Sequence, residues 1–151
     1  LCAMASAAPA LKPGTNIPLD PQYSYVMNSF LNGDAWNHVP AEYKGGISKF
    51  KKETMVKNPA RVFYFSEENP WTMPGINVAG INDNNLRTLP DGTADSFGSF
   101  HKAPRGDLTQ GVVNASFVDG HVDTVSPYPA EEAPHNSFIL AWPAGGTVPV
   151  F

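Results

Sequence analysis

Several things are scarce in this chain of 151 residues, and each scarcity excludes a class of protein. A single cysteine, Cys2, rules out an internal disulfide framework. Only 16% of the residues are charged, and no block of five like charges occurs. The densest basic stretch is Lys49, Lys51 and Lys52, balanced by Glu53. With a net charge of −4, the chain lacks the clustered lysine and arginine of a nucleic-acid footprint, so nucleic acid is not an expected partner. No run approaches the roughly 18–20 apolar residues that span a bilayer. The opening stretch, Leu1 to Leu11, lacks the positive segment of a signal peptide and does not begin with Met. It reads as a fragment or a processed product.

What is present points to one folded domain over residues 1–151. The 42% hydrophobic and 11% aromatic content suits a packed core. Fifteen prolines and 13 glycines predict many turns and few long helices. Residues 1–22, with Pro9, Pro13, Pro18 and Pro21, read as an extended lead-in. Strands are expected near 23–31, 61–66, 112–118, 121–126 and 137–142, with Asn32-Gly33 as a turn and a short helical hint from Pro40 to Lys44. Residues 67–111 read as a long loop-rich region. The predicted class is α+β, mainly β, with an antiparallel sheet.

The clearest local signal runs from Gly111 to Val125. Asp119-Gly120 sits between two alternating runs, the pattern of a two-residue hairpin turn. That turn pairs Val118 with His121 and Phe117 with Val122. Val113, Ala115, Phe117, Val122 and Thr124 would then share the core face, with Asn114, Ser116, His121 and Asp123 on the polar one.

At this hairpin the sequence resembles a bacterial family. The stretch Asn114-Ala-Ser-Phe-Val-Asp-Gly-His-Val122 is similar to the closing motif of prepilin-type proteins with an H-X9-DG domain. Ser24-Tyr-Val-Met-Asn28 resembles that family's SYxMN strand. Asn58-Pro-Ala-Arg-Val62, followed by Ser66-Glu67-Glu68, resembles its Pro-small-x-Val … Glu strand, and a cysteine ahead of SYxMN is frequent there. The resemblance covers roughly residues 1–126. His101 matches the family histidine by its neighbours, but 17 residues separate it from Asp119 where the family has nine, an insertion that includes Pro104 to Gln110. The motif residues carried over are His101, Asp119, Gly120 and His121.

The resemblance implies a precursor with a prepilin leader and a long apolar helix, absent from this sequence, that anchors the subunit in the membrane and packs in a filament. This chain would be the pilin-like head: a structural subunit of a type IV pilin-like filament or of a type II secretion pseudopilus. Its place would be extracellular or periplasmic, at the cell surface, and its partners copies of itself or other pilin-like subunits.

Two other classes remain open. A secreted carbohydrate-binding or adhesive module predicts an aromatic row on one sheet face, with Trp36, Trp71 and Trp142 as candidates otherwise assigned to packing. A metal-dependent hydrolase would use His101, Asp119, His121 and Asp123, since His121 and Asp123 share a strand face. The simpler reading of Asp119 and Gly120 is a turn. Asn82 to Asn85 with Asp91 and Asp95 are rich in oxygen ligands, so calcium held by Asp83, Asp91 and Asp95 is the one possible cofactor. Glu67 and Glu68, adjacent on a strand, point to opposite faces and cannot form a general-acid pair; one or other of them, Glu67 or Glu68, is expected to accept bonds from loop amides. No nucleophile elbow, HExxH, Walker or dinucleotide motif occurs, and no catalytic residue is assigned.

Overall fold

A computed structural model describes residues 25–68, 85–87, 95–104, 110–126 and 141–145. They form a small α+β structure around a five-stranded mixed sheet. The strands are β1 (Val26–Asn28), β2 (Phe63–Ser66), β3 (Asn85–Leu86), β4 (Val113–Phe117) and β5 (Val122–Val125), in the spatial order β3-β1-β2-β4-β5. The sheet is not wholly antiparallel as expected: β3, drawn from the supposed loop region, pairs parallel to β1. The lead-in, Cys2 and Trp71 lie outside the described residues.

β1 is shorter than the predicted strand because Asn28 ends it. Its side-chain oxygen accepts from the Phe30 amide at 3.0 Å and caps α1 (Ser29–Asn32), which closes on Gly33 in the left-handed conformation. The Asn28 amide group donates to the carbonyls of Phe63 (3.0 Å) and Ala141 (2.9 Å), all buried. Ser29 donates to the Leu86 carbonyl at 3.0 Å and ties α1 to β3. Short 3-10 turns follow at Ala35–His38, Ala41–Tyr43, Glu53–Met55 and Pro59–Arg61, the second within the helical hint. The last begins on proline, whose missing N–H costs nothing there.

The core lies on one face of the sheet, where Phe30, Trp36, Phe63, Phe97, Phe100 and Leu86 are at most 2% exposed. Each such side chain contributes about 1.5–3 kcal/mol by leaving water. Trp142 packs edge-on against Phe30 at 5.5 Å and beside Trp36 at 5.4 Å. Of the predicted strand 137–142, residues 137–140 lie outside the described residues, and Ala141 and Trp142 are core residues not in a strand.

The predicted loop region also supplies core. Phe97 pairs through Glu68 in an isolated bridge, and His101 pairs with Val112. Gly111 permits that crossing: a Cβ there would lie 2.3 Å from the carbonyl oxygens of both Ser99 and His101.

The hairpin register differs by one residue from expectation. Phe117 opposes His121, accepting from the Gly120 amide (2.9 Å) and donating to the His121 carbonyl (2.9 Å), so Val118, Asp119 and Gly120 form a three-residue loop. Gly120 takes φ +92°, the bulge position of this loop type. Two contacts favour the longer loop: the Val118 amide reaches across to the Val62 carbonyl (3.0 Å), and Asp119 accepts from the His121 amide (3.2 Å). One step of register flips β5. Val122 is therefore 66% exposed rather than in the core, while Val125, opposite Val113, is buried.

Replacing Asn28 by Ala removes the cap and leaves two buried carbonyls without a donor. Urea unfolding is expected to show a loss of about 2–4 kcal/mol, and a loss below ~0.5 kcal/mol would contradict this account.

Candidate functional site

β2 runs straight into the acidic pair. Ser66 donates to the Asn114 carbonyl at 3.1 Å, and the Gly98 amide donates to the Glu67 carbonyl at 2.8 Å. This pairing carries Glu67 and Glu68 into the interior, where they are 1% and 0% exposed. Ser96 and Ser99 are buried as well, so buried polar residues cluster here among the described residues.

The partner of the Glu67 carboxylate is the His101 imidazole: Nε2 lies 2.8 Å from Oε2. The bridge to Val112 fixes the His101 backbone through two hydrogen bonds of 2.9 and 2.8 Å. The side chain of Glu67 is 2% exposed and that of His101 27%. The imidazole thus reaches from the rim to a buried charge. A carboxylate-oriented imidazole is the base half of many catalytic triads. Two clefts among the described residues, of about 370 and 470 Å³, are lined by Met27, Leu31, Phe50 and Tyr64 among others, and by Asn32, Trp36, Lys49 and Asn85 among others. Neither has Glu67, Glu68 or His101 in its wall.

Asp119 and His121 do meet, at the exposed hairpin tip. His121 Nδ1 lies 2.5 Å from Asp119 Oδ1, and its ring stacks on Phe117 at 4.3 Å and 7°. The hydrogen bond from His121 holds the Asp119 carboxyl below its ordinary pKa. The Asp123 carboxylate accepts from the Thr124 amide at 2.7 Å. His101 pairs at the start of β4 and the tip follows its end, so five strand residues, roughly 17 Å, separate the two groups. The structure therefore does not gather His101, Asp119, His121 and Asp123 into one hydrolytic centre. Among the described residues no three His, Cys, Asp or Glu side chains converge as metal ligands.

Of the proposed calcium ligands, Asp83 and Asp91 lie outside the described residues. Asp95 accepts from the Arg87 amide at 2.8 Å, while its own amide donates to the Arg87 carbonyl at 3.2 Å, an arrangement that holds β3 in place.

The outer sheet face carries exposed aromatics for a reason the sequence concealed. A bulge between Phe63 and Phe65 breaks the alternation of β2, so Tyr64 and Phe65 both face outward, 41% and 39% exposed. Their rings are tilted by 55°, which is no flat platform for a sugar ring. Trp36 and Trp142 are buried, at 1% and 4% exposed.

No family model matches the chain, no curated protein matches it, and no solved structure matches its fold. Among the described residues no helix is long and apolar enough to cross a membrane.

Two outcomes are expected. His101→Ala strands a buried carboxylate and is expected to cost about 1–3 kcal/mol in chemical unfolding, with Glu67→Gln in the same background restoring part of it. In an NMR titration Asp119 is expected to titrate below an ordinary carboxyl, and to rise towards the ordinary value in His121→Ala, which removes the side-chain bond but keeps the backbone amide that also lowers it. Because the folded pKa is the depressed one, the stabilisation from this contact is present above the unfolded pKa and fades as pH falls through the folded one.

Proposed function

We propose that this chain is the outward-facing head of a pilin-like or pseudopilin-like subunit, a structural part rather than an enzyme. The single observation that supports it most is where the resembling segments lie. The SYVMN segment contributes β1, the Pro-Ala-Arg-Val … Glu segment β2, and the Asp-Gly segment the β4–β5 hairpin, adjacent in one sheet. The polar residues of those segments serve the fold: Asn28 clamps backbone carbonyls, His101 pairs with Glu67, and Asp119 shapes a turn. Residues used in this way act as scaffold, which suits a subunit whose work is to present a surface. Membrane attachment and the main filament packing would come from a long apolar helix of the precursor, and the head would lie outside the inner membrane, at the cell surface or in the periplasm.

Immunogold microscopy with antibodies against this chain, together with blotting of the sheared surface fraction of the source cells, tests the reading. Label on surface fibres or in the envelope is expected; label confined to the cytoplasm would refute it.

A further inference from the structure

Among the described residues β5 forms one edge of the sheet, and His121 to Thr124 are all exposed. Natural edges are guarded by lysine, proline, bulges or a short span. The other edge, β3, is two residues long. β5 has four residues, Val-Asp-Thr-Val, three of them β-branched, with one charge and no proline.

The ladder to β4 defines which backbone groups point away from the sheet. Phe117 with His121 is a hydrogen-bonded pair, so the next such pair is Ala115 with Asp123. The N–H and C=O of Val122 and Thr124 consequently point to the free edge. The Thr124 amide there is met by its neighbour's carboxylate, Asp123 Oδ1.

We propose that this edge is a docking site for a second copy of the chain, with β5 pairing antiparallel to β5 about a twofold axis through Val122. A continuous sheet keeps each residue on its own face, so β5 can meet itself only centred on one of its residues. Centred on Asp123, it would set two carboxylates opposite each other, which is destabilising. Centred on Thr124, it would set Asp123 against Val125. Centred on Val122, it sets His121 of each copy opposite Asp123 of the other, twice, at the close non-hydrogen-bonded positions. With His121 as imidazolium, Nδ1 bound to Asp119 and Nε2–H free to donate, the strand is complementary in charge to itself in that register alone. Asp119 and the Phe117 stack already fix the His121 ring, so little further ordering is needed to present Nε2. Val122 meets Val122 and joins two outer-face rows, since Met27, Phe65, Ser116 and Val122 are successive partners across the sheet.

The contact is small, of the weak and concentration-dependent class, as befits a secondary contact between heads assembled by other means. It deepens the assembly reading and rests on it for its biological role.

Site-directed cross-linking tests the register. In a Cys2→Ser background at high protein concentration, Val122→Cys is expected to give a covalent dimer on mild oxidation. Thr124→Cys is expected to give none, because two Thr124 positions would lie four residue steps, roughly 13 Å, apart, beyond the ~7 Å reach of a disulfide. Adding Asp123→Lys is expected to slow the Val122→Cys cross-link several-fold. Hydrogen exchange of wild-type protein provides a check without cysteine: the Val122 amide should gain protection with rising concentration while Ala115 does not change. No dimer at position 122, equal cross-linking at 122 and 124, or no concentration-dependent protection would each overturn the pairing. A surface location with no β5 contact would leave the subunit reading standing, and a β5 contact in a cytoplasmic protein would do the reverse.

Discussion

The side-chain amide of Asn28 is the constraint on which the rest of this structure depends. It joins backbone that lies 35 and 113 residues away in sequence, at Phe63 and Ala141, and it caps the turn that follows. A hydrogen bond at the surface is worth little because water replaces it. Inside, each carbonyl needs a donor, and one small amide serves two carbonyls while accepting from a third group. The arrangement fixes where β1 stops, which side of β2 it meets, and where Trp142 enters to pack on Phe30 and Trp36. Leu or Met at this position would fill space and satisfy nothing.

Polar burial recurs along the same sheet. Ser29 binds the Leu86 carbonyl, Ser66 binds the Asn114 carbonyl, and Glu67 takes the His101 imidazole. A domain with short strands and few helices has little regular hydrogen bonding to hold its connections. Side chains therefore take over the task, and segments that look like loops become interior. Residues of the kind that elsewhere perform catalysis are here engaged in contacts that tie distant segments together.

Much of this was legible in the sequence. The strand runs at 61–66, 112–118 and 121–126 were marked by β-branched and aromatic residues, and four of the five strands lie within segments read as strands. The turn at Asp119-Gly120 was legible because glycine after aspartate favours a left-handed position. Two departures from simple alternation have definite physical causes. The bulge at Tyr64 placed two successive aromatics on one face, which no period-two reading anticipates. The third loop residue, Val118, was drawn in by the Val62 carbonyl of a neighbouring strand, and that one step turned Val122 outward.

The candidate site divides the same way. The resemblance singled out His101, Asp119 and His121, and the Asp-Gly pattern marked Asp119 as a turn residue; that His121 folds back on Asp119 across the turn was not read from the sequence. It gave no means of pairing His101 with Glu67, 34 residues earlier, since that contact exists only once Val112 has bridged His101 and Phe97 has bridged Glu68. Local pattern was enough to mark four of the five described strands and the Asp119-Gly120 turn, because β-branched and aromatic runs and a left-handed glycine act on their own neighbours. Tertiary structure alone decided which polar groups meet, because a hydrogen bond between distant residues depends on the registers of every strand between them.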